Sequence, residues 1–163
     1  MSTSPAPVAV APTLFQVIAW VETKHNSMAL RFEPATYQKL STNRTDSQKA
    51  IIAKIMQRNA CSWGTALMIY STSFGETQLM GFNIYGPTVD YQGNVINFCM
   101  SETAQKSGFD NFLKQEKLTD ITVTSLAASK VARMRFALTY NGSPTYADEI
   151  VAALKFYKIN VTE

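Results

Sequence analysis

Glu22 is the side chain of this sequence best set up for acid–base chemistry. In the run Phe15-Gln16-Val17-Ile18-Ala19-Trp20-Val21-Glu22, Phe15, Ile18 and Glu22 are spaced i, i+3, i+7 and share one face of a helix. Leu14, Val17 and Val21 widen that face. Burying a carboxylate among apolar groups is expensive for the ion. Burial therefore favours the neutral acid and raises its pKa, as a general acid working near neutral pH requires. The helix alone leaves a second reading open, in which Glu22 marks the helix C-terminus and reaches into water.

The elements that must carry this residue follow from the pattern of the chain. Residues 1–13 are Ala, Pro, Ser, Thr and Val apart from the initiating Met, and read as an extended arm, leaving residues 14–163 as one domain. The spacing predicts a first helix over 14–23, broken by Asn26-Ser27, then an extended segment over 29–33. Pro34 pushes Glu33 out of the α region and suits the first turn of a short helix over 35–40. Thr45 or Asp46 caps a helix with Ile51, Ile52 and Ile55 inward, and Ser62 caps one with Trp63, Ala66, Leu67, Tyr70 and Phe74 as its core stripe. Two glycines, Gly75 and Gly81, bracket a short polar–apolar segment. Each suits a turn or a close approach of backbone, and Gly75 also fits a helix C-cap.

Further along, Gly86-Pro87 and Gly93-Asn94 are turns. A long helix is expected over 95–113 with Glu102 inward as a second buried carboxylate. Thr124 or Ser125 caps a helix carrying Leu126, Val131, Met134 and Leu138, which stops at Tyr140-Asn141-Gly142-Ser143-Pro144. A last helix over 145–157 buries Tyr146, Ile150, Val151, Leu154 and Tyr157. The fold class is mainly α, with at most a small β element near 28–32 and 88–97.

Composition excludes several classes. With 46% hydrophobic and 17% charged residues, the 163-residue chain buries a real core and is not disordered. No apolar run approaches the roughly 20 residues of a membrane span. The first residues lack the basic and apolar regions of a secretory signal, so delivery across a membrane falls to something else. The net charge of +3 is spread along the chain, without the basic stripe of a nucleic-acid binder. Cys61 and Cys99 are too few for a disulfide scaffold and are not spaced as a metal site; buried free thiols and a single bridge both stay open.

Four signatures occur in one order: the helix ending in Glu22, the Arg31-Phe32-Glu33 segment, Ser73-Phe74-Gly75-Glu76-Thr77-Gln78-Leu79-Met80-Gly81-Phe82-Asn83, and Tyr140-Asn141-Gly142 before a final helix with Tyr146. Over roughly 14–157 this resembles the N-acetylmuramidase domain family of bacteriophage endolysins, within the lysozyme-like and lytic-transglycosylase group. In that family the middle motif reads like Ser-Trp-Gly-x-x-Gln-x-Met-Gly-Phe-Asn and the late one like Tyr-Asn-Gly-Pro-x-Tyr. Here Phe74 replaces the tryptophan, Ser143 is inserted before Pro144, and Thr23-Lys24-His25-Asn26-Ser27 replaces a glycine-rich step.

The resemblance implies a lysozyme-like helical domain with one cleft, acting on the glycan strands of peptidoglycan between N-acetylmuramic acid and N-acetylglucosamine. It implies Glu22 as general acid, with Glu33 the candidate second carboxylate, placed to orient water or, alternatively, to anchor Arg31, Arg44 or a helix end. A working second carboxylate implies a lysozyme, and its absence a lytic transglycosylase that leaves anhydro ends. Gln78, Met80, Tyr140 and Asn141 resemble the family's cleft-lining, substrate-binding positions, with a plain core role the alternative for Met80. No metal or organic cofactor is implied. The expected setting is a phage lytic enzyme that reaches the wall from the host cytoplasm after the membrane is permeabilised, or rides in the virion. A different class, a non-catalytic wall-binding or virion structural protein on the same fold, is separated from the enzyme by the behaviour of Glu22→Gln.

Overall fold

A computed structural model describes residues 11–162. Of the expected N-terminal arm, residues 1–10 lie outside the described residues. The first helix, α1 (Leu14–Thr23), begins at a reciprocal cap. Gln16 N–H donates to Thr13 Oγ1 at 3.3 Å, and Thr13 N–H donates to Gln16 Oε1 at 2.8 Å. Ten residues are too few for a helix to stand alone in water. Burial fixes it instead: Phe15, Val17, Ile18, Ala19 and Val21 are all in the core. A fully buried side chain such as Ile18 contributes about 1.5–3 kcal/mol.

The described residues continue as β1 (Leu30–Phe32), α2 (Pro34–Thr42), α3 (Asp46–Asn59), α4 (Trp63–Tyr70), β2 (Thr72–Phe74), β3 (Leu79–Met80) and α5 (Gly81–Tyr85). Then come α6 (Val95–Met100), α7 (Glu102–Gln115), α8 (Val123–Ala128), α9 (Lys130–Tyr140) and α10 (Tyr146–Phe156). The expected class holds: a mainly α, lysozyme-like domain with one small sheet. That sheet is antiparallel in the order β1-β2-β3, and its register sets Arg31 opposite Ser73 and Ser73 opposite Met80. No helix among the described residues is long and apolar enough to cross a membrane.

Two apolar cores meet along α7. One gathers Val17 and Ile18 of α1 with Leu126, Phe136, Ile150 and Leu154 of α8, α9 and α10. The other gathers Ile52, Ile55, Leu67 and Tyr70 of α3 and α4 with Leu79, Ile84 and Phe98. Phe109 and Leu113 enter the first core and Phe112 the second, so α7 is the shared wall. Tyr140 packs against both.

Several expectations are corrected. The helix over 95–113 is two helices, broken at Ser101, whose extended backbone (φ −111°, ψ 102°) lets its side chain accept the Ala104 N–H at 3.1 Å. A serine that caps a new helix competes with continuing the old one. Glu102 becomes the first residue of α7, exposed and paired with Lys106 at 2.7 Å, and is not a buried carboxylate. Ser129 divides the next expected helix in the same way, and Thr122 caps α8 in place of Thr124 or Ser125. The new register turns Val131 and Leu138 outward and buries Arg133. Arg133 donates to the carbonyls of Leu126, Ala127 and Thr162, holding the end of α8 and the C-terminal segment. Trp63 is exposed at the start of α4. The sheet includes 30–32 as expected, but its partners are β2 and β3, and none of 88–97 is strand. Both cysteines are free: Cys99 is buried, and Cys61 is half-buried in the connection between α3 and α4.

Candidate active site

The cleft of about 340 Å³ opens where the sheet meets the ends of α1 and α9. Glu22 lines it, together with Arg31, Glu33, Thr36, Met80 and Asn141. Gln78, Phe82, Asn83, Phe112 and Tyr140 complete the polar and aromatic lining. Every residue singled out in the sequence as a candidate therefore borders one cavity.

The floor is the hairpin between β2 and β3, and its two glycines have separate reasons. Gly75 turns the chain at φ +79°, and a Cβ there would sit 2.3 Å from Gln105 Oε1. That oxygen accepts the Glu76 N–H at 2.7 Å, while Gln105 Nε2 donates to Cys99 O, so a buried amide pins the turn to α6 and α7. Gly75 does not end a helix; α4 stops at Tyr70. At Gly81 a Cβ would meet the Ile69 carbonyl oxygen at 1.9 Å, so only glycine lets α5 start against α4.

Gln78 sits at φ 50° with its amide already engaged. Nε2 donates to Gly75 O at 2.9 Å and Ala29 O at 3.2 Å, and Ser73 Oγ donates to Oε1 at 2.9 Å. It braces the hairpin against the segment before β1. Tyr140 is engaged too. Its hydroxyl donates to Thr77 O, and its ring stacks on Phe136 and Tyr146 with edge contacts to Phe109 and Phe112.

Glu22 is half-buried at the end of α1. The Tyr146 hydroxyl, at the start of α10, donates to Glu22 Oε1 at 2.8 Å. Burial raises the Glu22 pKa above its ordinary value. The bond from Tyr146 and the charge of Arg31 oppose that rise, Glu149 adds to it, and Lys24 opposes it weakly. Burial also pushes the Tyr146 and Tyr140 phenols far above their usual range, so both remain donors at any working pH. Arg31 and Glu33 lie on the same side of the extended segment, two residues apart, and Arg31 Nε meets Glu33 Oε1 at 2.7 Å. Among the described residues, no group of three or more His, Cys, Asp or Glu side chains is placed to hold a metal ion.

Tyr146 is the site residue that pattern reasoning assigned only to the core. It is 2% exposed, so the helical spacing was correct, yet its polar tip needs a partner inside. A tyrosine opening a buried helix just past the Tyr140-Asn141-Gly142 stop was the available signal. Arg31, Thr36 and Asn83 also join the cleft.

A raised carboxyl beside a phenol donor, with a second carboxylate along the same groove of a lysozyme-like fold, has the make-up of a glycosidase site. Comparison with known proteins agrees: the N-acetylmuramidase family model matches residues 16–155, and the chain belongs to that family. It is a lysozyme-like glycoside hydrolase acting on peptidoglycan. The chain is 43% identical over 147 residues to the "Endolysin" of Enterobacteria phage PRD1, a match that covers 90% of this chain and 97% of that protein. No solved structure gives a significant match.

Proposed function

We propose that Glu22 is the general acid that protonates the leaving oxygen between N-acetylmuramic acid and N-acetylglucosamine. The observation that carries this is a carboxyl whose burial favours the protonated form, in a groove lined by polar and aromatic side chains. With Oε1 occupied by Tyr146, the other oxygen is free to carry the proton towards the substrate. General acid catalysis of this kind contributes about 10²–10⁴-fold.

Glu33 is the second carboxylate in this proposal. Arg31 fixes its direction, and one carboxylate oxygen remains to orient an attacking water. The same ion pair favours a second reading, in which Glu33 is spent as an anchor. The 6-hydroxyl of the muramic residue then closes an anhydro ring, and the enzyme is a lytic transglycosylase. Met80 and Asn141 contact the sugar directly, the thioether against a ring face and the amide towards N-acetyl or hydroxyl groups. Gln78 and Tyr140 serve the substrate by holding the floor.

The likeness to a phage endolysin supports a role in host lysis. The enzyme then acts on the wall after the membrane is opened, or is carried with the virion. Mass analysis of fragments released from purified cell walls tests the reaction. The wild type yields reducing muramic ends, Glu22→Gln yields no fragments while still folding and binding walls, and Glu33→Gln slows release of the reducing product. Unchanged clearing by Glu22→Gln refutes the assignment, and anhydro ends from the wild type establish the second reading.

A further inference from the structure

The turn after α1 is held by backbone and side-chain bonds together. Lys24 and His25 are consecutive non-glycine residues in the left-handed region, at φ 53° and 68°. Such residues cost about 1–3 kcal/mol each and persist only where the surroundings over-determine them. Here the chain end is held from several directions. The Lys24 N–H donates to Trp20 O at 3.2 Å and the His25 N–H to Ala19 O at 3.3 Å. Thr23 Oγ1 donates to Glu76 O at 3.0 Å and accepts the Asn26 N–H at 3.1 Å.

The His25 ring is the longest of these ties. Nδ1 lies 3.2 Å from Glu76 Oε2, and Nε2 lies 2.6 Å from the Tyr157 hydroxyl. Glu76 belongs to the turn that floors the cleft, whose N–H is pinned by Gln105 and whose neighbour Thr77 accepts the Tyr140 hydroxyl. Tyr157, at the end of α10, also lies 3.3 Å from Gln16 O, back on α1. The chemistry closes for either state of the ring. Neutral His25 donates from Nδ1 to Glu76 and accepts the Tyr157 proton at Nε2. Protonated His25 donates from both nitrogens, and the Tyr157 hydroxyl turns to donate to Gln16 O.

We propose that His25 is a positioning residue: bonded at its two ring nitrogens to Glu76 and Tyr157, it locks the end of α1 against the hairpin floor and so sets where the Glu22 carboxyl meets the glycan. The proposal rests on Glu22 being the acid. Thr23 and His25 both reach the hairpin through Glu76, and Glu22 directly precedes them, so slack in this turn moves the carboxyl against the floor. A misplacement of about 1 Å costs up to roughly 10²-fold in rate. The loss falls on kcat, because the lining that grips the sugar is untouched.

The experiment measures kcat and KM on soluble glycan-strand fragments, with thermal melts, for the full chain carrying His25→Ala, His25→Asn, Glu76→Ala and the His25→Ala/Glu76→Ala double change. The expected result is a fall in kcat of about tenfold for His25→Ala, with KM within about twofold and the fold retained. Asn places an amide nitrogen near the Nδ1 position, so His25→Asn recovers most of that loss. Glu76→Ala, which removes the acceptor and leaves the backbone bonds of the turn in place, shows a loss of the same kind, and the double variant is no slower than His25→Ala, which already removes both ring ties. Wild-type kcat in His25→Ala, a loss confined to KM, or losses that multiply in the double variant each overturn the proposal. If His25→Ala does not fold, His25→Asn and Glu76→Ala carry the test: near-wild-type kcat in His25→Asn with reduced kcat in Glu76→Ala supports it, and wild-type kcat in Glu76→Ala overturns it. Glu22→Gln is run alongside. Its inactivity beside a wild-type His25→Ala rejects the clamp and keeps the acid, whereas its full activity rejects the acid and with it the clamp's purpose.

Discussion

Tyr146→Phe removes one oxygen and keeps the ring that stacks on Tyr140. That oxygen donates to Glu22, and the bond favours the ionised carboxylate, working against burial. Without it, Glu22 holds its proton to higher pH. An enzyme that needs the protonated acid loses activity as pH rises through the acid's pKa. The alkaline limb of kcat/KM therefore moves up in Tyr146→Phe, and the variant outlasts the wild type, relative to its own maximum, on the alkaline side. Stability gives a second reading of the same bond. A hydrogen bond between neutral partners is worth about 0.5–1.5 kcal/mol, and one to a charged group about 1.5–3 kcal/mol. The variant is then destabilised more at a pH where Glu22 is ionised than where it is protonated, by about 1 kcal/mol. For a chain of this length the extra loss in Tm is about 2–4 °C. Rate–pH profiles on soluble glycan fragments and melts at acid and alkaline pH measure both. A limb that stays put or moves down, or a Tm loss independent of pH, refutes the coupling of Tyr146 to Glu22.

The remaining predictions concern the acid and the floor. A carboxyl whose folded pKa is raised contributes its full stability below the ordinary value of 4.5 and loses it as pH rises through the folded value. Glu22→Gln removes that fall, so the inactive variant is more stable at neutral pH, by about 0.5–2 kcal/mol in urea unfolding; equal or lower stability there counts against a desolvated acid. Gly75→Ala brings a Cβ against Gln105 Oε1 in a left-handed backbone, costing about 1–2 kcal/mol of strain and about 1 kcal/mol from the displaced Gln105–Glu76 bond. Its Tm falls by about 5–10 °C. Gly81→Ala meets a carbonyl that cannot swing aside and loses more than Gly75→Ala; the reverse order in thermal melts rejects the contact.

What was legible in the sequence was whatever depends on spacing within one element. The apolar face of α1, the caps at Thr45 and Ser62 and the stop at Tyr140-Asn141-Gly142 are local, and the elements they define are present. The cleft membership of Glu22, Glu33, Gln78, Met80, Tyr140 and Asn141 was legible through motif order. The breaks at Ser101 and Ser129 were not, because an apolar pattern continues across them and only the cap shows where the register changes. Pairing of β1 with β2 was hidden for a different reason. Strands of two or three residues carry too few side chains for alternation to register, and their partners lie some forty positions away.

The same distinction separates the acid from its control. Glu22 and the apolar face that ends in it belong to α1, but the donor that tempers its pKa is 124 positions away. The hairpin is bound to α1 through Thr23, to α7 through Gln105 and to α9 through Tyr140, three helices from the two cores. Tyr140 touches both cores and stacks on Tyr146, so the ring that joins the cores also seats the phenol that reaches Glu22. Loss of the Tyr146 hydroxyl and entry of water at the carboxyl act on the Glu22 pKa in opposite directions. Losing the donor raises it and rehydration lowers it. Rehydration acts on the larger contribution, because burial leads the shift and the hydrogen bond comes second. A change that removes the Tyr146 donor and also rehydrates the carboxyl is therefore expected to lower the Glu22 pKa, whereas Tyr146→Phe, which removes the donor alone, raises it.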